Sequence, residues 1–212
     1  MKSVTTKVTL ILCFLLMYAC NCDNWILYRA TSEYFPLSVG NRWVYKKGDE
    51  LRFVEVCSET IIGGYSAFVI RNNFQDEFWK INEGRIEKLI QRYIIIAGNE
   101  YLLKRRWGIR YQIPLIWGNH WNDYERDSIN VLGQNYSFEY VANWQIVGCE
   151  DVITPAGSFI ESYRLDFFEE ITINGEHEIY QGSEWLAPNV GLVKRVINGQ
   201  EELLIDYTIV NK

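Results

Sequence analysis

Between residues 158 and 167 the chain alternates, with Phe159, Glu161, Tyr163, Leu165 and Phe167 on one side and Ser158, Ile160, Ser162, Arg164 and Asp166 on the other. A period of two belongs to an extended strand that turns one face to a core. The last run repeats it, placing Leu203, Ile205, Tyr207 and Ile209 on a common face. Turn residues divide such runs. Asn174-Gly175 and Asn198-Gly199 are hairpin signals, because a two-residue type I′ turn needs positive φ at both positions and Asn and Gly accept it most readily. In the same way Gly48-Asp49 separates residues 43–47 from 51–57, and Glu83-Gly84 separates 78–81 from 85–90. A helical period is nearly absent. Residues 85–92 could form one helical turn, but the isoleucines that follow argue for a strand. The pattern predicts an all-β fold of antiparallel hairpins.

The chain also resembles itself. Pro36-Leu37-Ser38-Val39-Gly40-Asn41-Arg42-Trp43 recurs as Pro114-Leu115-Ile116-Trp117-Gly118-Asn119-His120-Trp121, the same P-L-x-x-G-N-x-W. Two further matches follow in order. Cys57-Ser58-Glu59 leads to Gly64 and Phe68 as Cys149-Glu150-Asp151 leads to Gly157 and Phe159, and Trp79 with Gly84 is answered by Trp185 with Gly191. We read one β domain over residues 34–210 made of two repeats, about 34–106 and 111–210, each an antiparallel meander. A sheet beyond about ten strands tends to curl, so the duplicated meander is expected to form a large curved sheet or half-barrel. Its concave face is expected to be filled by aromatic side chains or left open to an apolar ligand.

The first twenty residues carry an address. Lys2 and Lys7 flank a short polar start, an apolar run covers residues 8–17, and Ala19 precedes Cys20. This is the layout of a secretory signal peptide over residues 1–19, too short to span a bilayer. Cys20 after Leu16-Met17-Tyr18-Ala19 is the expected lipid attachment residue, with ordinary cleavage near Ala19 as the alternative. Residues 20–33 would then form a short tether to a membrane. Loss of Lys2 and Lys7 with the signal peptide leaves 19 basic against 27 acidic side chains, a net charge of −8. A chain so acidic repels phosphate backbones, so nucleic acid is not an expected partner.

Three stretches resemble a widespread group of bacterial envelope proteins of unknown function: residues 34–45, Tyr-Phe-Pro-Leu-Ser-Val-Gly-Asn-Arg-Trp-Val-Tyr; residues 154–159, Thr-Pro-Ala-Gly-Ser-Phe; and residues 184–194, Glu-Trp-Leu-Ala-Pro-Asn-Val-Gly-Leu-Val-Lys. The resemblance spans nearly all the mature chain and lies in prolines, glycines and aromatics that set turns and packing. It implies export, often with a lipid anchor, a β-rich fold and no enzymatic activity.

Candidate chemistry is sparse. His120 and His177 are the two histidines, too few for a metal site of three or four convergent ligands, so neither a metal nor another cofactor is expected. In Glu176-His177-Glu178 alternation puts the imidazole on the face opposite both carboxylates. Glu169-Glu170 and Glu201-Glu202 split between faces in the same way, and Glu150-Asp151 adjoins a turn. No catalytic residue is expected. Lys104, Arg105, Arg106 and Arg110 form the one basic cluster, read as a strand face or the join between repeats, with an acidic partner or lipid headgroup as the alternative. Trp43, Trp79, Trp121 and Trp185 are expected as core anchors. Cys57 and Cys149 can form a disulfide or remain two buried thiols, which spacing does not decide. The expectation is an exported, lipid-anchored or periplasmic protein of the cell envelope that binds an apolar ligand or an envelope partner without catalysis. The alternative is a hydrolase of envelope glycan or lipid that works through paired carboxylates.

Overall fold

The computed structural model describes residues 34–210; the expected signal peptide, Cys20 and the tether lie outside the described residues. Twelve strands follow one another: β1 (Arg42–Lys47), β2 (Glu50–Ile62), β3 (Tyr65–Asn72), β4 (Gln75–Asn82), β5 (Arg85–Ile96), β6 (Asn99–Gln112), β7 (His120–Val131), β8 (Gln134–Thr154), β9 (Gly157–Ile173), β10 (Glu176–Ala187), β11 (Gly191–Ile197) and β12 (Gln200–Thr208). They form a single antiparallel sheet in the order β6-β5-β4-β3-β2-β1-β12-β11-β10-β9-β8-β7. Every neighbour is the next strand in the chain except where β1 pairs with β12. The all-β meander expected from the alternation is the observed fold, and residues 85–92 are strand rather than helix.

The sheet curls into an almost closed barrel whose one unsealed seam lies between β6 and β7. Ion pairs span it. The Lys104 ammonium meets Glu125 at 2.9 Å and Asp127 at 2.8 Å, and Arg106 grips Asp123 with bonds of 2.9 and 2.8 Å. Gly108 makes room for this, since a Cβ there would stand 3.0 Å from the Asp123 carboxylate and 2.4 Å from Ile90. Lys104 and Arg106 of the basic cluster therefore meet their acids within the chain, at the join between its halves, while Arg105 is exposed.

Local chemistry explains the turns. Asn174 and Gly175 have φ of 53° and 84°, and Asn198 and Gly199 have 49° and 78°, the left-handed pair that the hairpin signal required. Both P-L-x-x-G-N-x-W segments close alike. Gly40 N–H donates to Val56 O (2.8 Å), Asn41 N–H to Ser38 O (3.0 Å) and Val56 N–H to Asn41 O (2.9 Å); Gly118, Asn119 and Ile146 repeat this with Ile146, Ile116 and Asn119 at 2.9, 3.0 and 2.9 Å. These bonds set Val56 against Ile146, so Cys57 corresponds to Val147 and not to Cys149. The Cys57 thiol, half-buried on β2, donates to Glu55 O at 3.7 Å; Cys149 is exposed on β8. Five strands separate β2 from β8 in the sheet, and the structure does not join the two cysteines.

Two expected faces are corrected. Glu161 has φ of 54° and its N–H donates to Asp151 Oδ1 at 3.1 Å, forming a bulge in β9. An extra residue reverses the side-chain alternation. Phe159 thus shares a face with Ser162, both pairing with the same side of β8, while Tyr163, Leu165 and Phe167 lie on the other. In β12 the buried positions are Glu202 and Leu204 rather than Leu203 and Ile205, because an inward carboxylate is needed by arginines described below.

The interior is filled unevenly. In the second half Trp121, Trp144 and Phe167 stand on adjacent strands as one rung, Trp121 and Trp144 stacked at 6.1 Å and Trp144 and Phe167 at 4.8 Å. Gly182 of β10 follows them; a Cβ there would collide with the Val196 carbonyl. The corresponding rung in the first half starts with Trp43 and continues with Val54, Asn72 and Gln75. Smaller and polar side chains leave space where the second half has indole and phenyl rings.

Candidate functional site

That space is a cavity of about 520 Å³ inside the barrel. Its floor is made by the segment preceding β1: Phe35 stacks on Trp79 at 5.1 Å and leans on Tyr111 at 5.0 Å, beside Leu37 and Trp43. Asn41 holds this segment down. Its side chain, fully buried, donates to Pro36 O at 2.7 Å and accepts from Val210 N–H at 2.8 Å. Leu37, Trp43, Trp79 and Tyr111 are buried, whereas Gln75, Glu178 and Tyr180, which line the cavity near the β3–β4 and β9–β10 turns, are exposed. The cavity is closed where the described chain begins and opens at the far end.

Charges line the wall between floor and mouth. Arg52 of β2 makes two bonds of 2.7 Å to Glu202, which also accepts from Arg195 at 2.8 Å. The Arg52 guanidinium lies 4.2 Å over the Tyr45 ring, and Tyr45 donates to Leu192 O at 2.9 Å. Opposite them Lys88 meets Glu77 at 2.9 Å, and Glu77 also accepts from Asn72 and from the Trp79 indole, each at 3.0 Å. From β6, Arg110 extends to Glu169 at 2.7 Å and Glu184 at 2.5 Å, with its guanidinium 4.1 Å over Trp144. Tyr111 donates to the second oxygen of Glu184 at 2.7 Å. Arg110 thus ties β6 to β9 and β10 on the far side of the backbone seam.

These pairings fix the ionisation states. Burial favours the neutral form of Glu77, but Lys88 and the donors Asn72 and Trp79 outweigh it and hold the carboxyl below its ordinary value. Glu202 is held down in the same way, with Arg52 and Arg195 outweighing burial. Burial opposes the charge on Arg110, yet Glu184 and Glu169 raise its pKa, so it remains a cation. Burial pushes the hydroxyls of Tyr45, Tyr111 and Tyr140 well up, so all three are donors at neutral pH.

Residues singled out in the sequence fall on both sides of this site. Trp43 and Trp79 are buried as expected but also line the cavity, while Trp121 belongs to the filled half. Trp185 packs on the outer face, donating to Glu150 beneath the Arg164 guanidinium and the Lys194 ammonium. His177 accompanies Glu170 at 2.8 Å outside, and Glu178 on the neighbouring position lines the cavity. His120 is exposed. Among the described residues no group of three or more His, Cys, Asp or Glu is placed to hold a metal. Arg52, Glu77, Arg110, Glu169, Glu184 and Glu202 were missed as a site. Each is a polar residue in an alternating strand, the usual mark of a solvent face, and the partners that join Arg52 to Glu202 and Arg110 to Glu169 and Glu184 lie 59 to 150 residues away.

No family model and no curated protein matches the chain. Two solved structures are similar over 83% of it. One, from Bacteroides fragilis NCTC 9343, is described as an exported protein with a YmcC-like fold; it is 13% identical, is covered over 99% of its length and gives a TM-score of 0.48. The other, from Parabacteroides distasonis ATCC 8503, is described as a lipoprotein; it is 14% identical, is covered over 98% and gives a TM-score of 0.44. Both likenesses fall below the level at which a shared fold follows, so the function proposed for this chain rests on its own residues.

Proposed function

We propose that this is an exported protein of the bacterial cell envelope, anchored through a lipid on Cys20, whose half-hollow barrel binds a ligand without catalysis. Export and the anchor rest on the signal-peptide layout of residues 1–19 and on the resemblance of the 34–45, 154–159 and 184–194 motifs to envelope proteins. Binding rests on one observation: an aromatic-floored cavity of about 520 Å³, open at one end, of the size and lining that small ligands take. Its charged belt changes the expected ligand, since a purely apolar molecule would leave polar wall groups uncovered. A molecule with a polar part fits better.

The hydrolase alternative has less support. Paired carboxylates act as acid and base when their environments push their pKa values apart, one of them upward. Here Glu77 and Glu202 are held down by cations, and Glu169 and Glu184 are both engaged by Arg110. With their pKa values held down, Glu77 and Glu202 are weak proton donors at neutral pH.

Native mass spectrometry of the mature protein, purified from its own membranes in detergent beside a Cys20→Ala variant, tests the proposal. Acyl mass on Cys20 together with a bound small molecule is the expected result. An unmodified chain would remove the anchor, and an empty one from both preparations would count against the ligand.

A further inference from the structure

Among the described residues the inward-facing cations at the cavity are Arg52, Lys88, Arg92, Arg110 and Arg195, and all but Arg92 bond a carboxylate. The side chain of Arg92, on β5 near the mouth, makes no hydrogen bond or ion pair, and its Nε is buried without an acceptor. A buried guanidinium nitrogen with no acceptor costs free energy that an oxyanion would recover. Beside it the wall turns apolar: Ile90 lies two residues before Arg92 on the same strand face, with Ile171 and Ile197 on the cavity wall. At the mouth Glu178 accepts from Tyr180 at 3.2 Å and makes no ion pair with Arg92.

Resting on the ligand-binding reading, we propose that the cavity takes an amphiphilic organic anion, its oxyanion on Arg92 at the mouth and its apolar body along Ile90, Ile171 and Ile197 toward the aromatic floor. Arg92 supplies a planar donor fork, so a carboxylate or sulfonate fits it with two parallel bonds. The saturated ion pairs below it offer no second site for such a head group. The anion is therefore oriented as well as held.

The test titrates two probes of almost equal shape into the folded protein, 1-anilinonaphthalene-8-sulfonate and its uncharged counterpart N-phenyl-1-naphthylamine, with fluorescence as the readout. In the wild type both bind. Arg92→Gln weakens the sulfonate by about tenfold or more, the size of a lost charge-assisted bond, and leaves the neutral probe unchanged. Arg92→Lys restores part of the sulfonate affinity, and Ile171→Trp, which fills the cavity, abolishes both. Equal affinities for the sulfonate in wild type and Arg92→Gln, or an equal loss for both probes, overturns the assignment to Arg92 while leaving the binding cavity intact. Binding of neither probe to the wild type, or binding of both that survives Ile171→Trp, overturns the cavity as a ligand site. Far-ultraviolet circular dichroism of each variant separates these outcomes from failure to fold.

Discussion

The two halves of the barrel begin their inner rungs with the same tryptophan in the same motif and then part company. After Trp121 come Trp144 and Phe167; after Trp43 come Val54 and Asn72. The first series closes the interior with stacked rings, and the second leaves it hollow. Equal backbone bonds around Gly40 and Gly118 show that the frames match closely there, so the difference lies in two or three side chains per rung. A β barrel thus gains an internal cavity through local choices of side-chain volume, without a change of topology.

The comparison breaks most severely at the filled half. Trp144→Ala removes a fully buried indole, two stacking partners and the platform beneath Arg110, and should lower stability by about 4 kcal/mol in urea unfolding. Next is Arg110→Ala, which strands Glu169 and Glu184 in the interior. A loss of about 3 kcal/mol is expected, and Arg110→Lys should recover only part of it because one ammonium does not reproduce the fork.

Acid should loosen the hollow half by a smaller amount. Glu77 and Glu202 have folded pKa values below the ordinary 4.5, so the unfolded chain binds protons first. Their stabilisation is complete above 4.5 and is lost as pH falls below it through the depressed folded values. Urea midpoints measured across this range should fall on acidification, and the fall should shrink in a Glu77→Gln, Glu202→Gln double variant. The smallest effect is expected where space already exists. Val54→Trp places an indole in the hollow rung and should change stability by less than about 1 kcal/mol, although enlarging a packed core residue usually costs about 1–3 kcal/mol. Binding of both naphthalene probes should disappear in the same variant. A large loss of stability there would mean that the first half is packed as tightly as the second.

Much of the frame was legible because turns are local chemistry. Asn174-Gly175 and Asn198-Gly199 announced their hairpins through residues that tolerate positive φ, and the P-L-x-x-G-N-x-W segments announced matching corners. Faces were less legible. Nothing near Glu161 marks the bulge that reverses β9, since its bond to Asp151 depends on a residue in the adjacent strand. The site was the least visible part. Alternation assigns Glu184 and Glu202 to solvent, and only the folded sheet reveals that Arg110 and Arg52, 74 and 150 residues away, meet them inside. A cue exists in β10, where Glu178, Gly182 and Glu184 share a parity opposite to that of buried Trp185, but it becomes readable only once both sides of the strand are known to be covered.

Around the barrel two kinds of link change places. Between β6 and β7 the polypeptide is continuous and the backbone ladder is missing; between β12 and β1 the ladder is present and the polypeptide is broken. Val210 beside Asn41 brings the last described residue to the segment that precedes β1. A circular permutant that starts at β7, ends at β6 and joins Val210 to that segment by a short linker would keep every ladder in the sheet. Among the described strands β1 is the first in the chain, and one of its edges is covered by β12, the last of them.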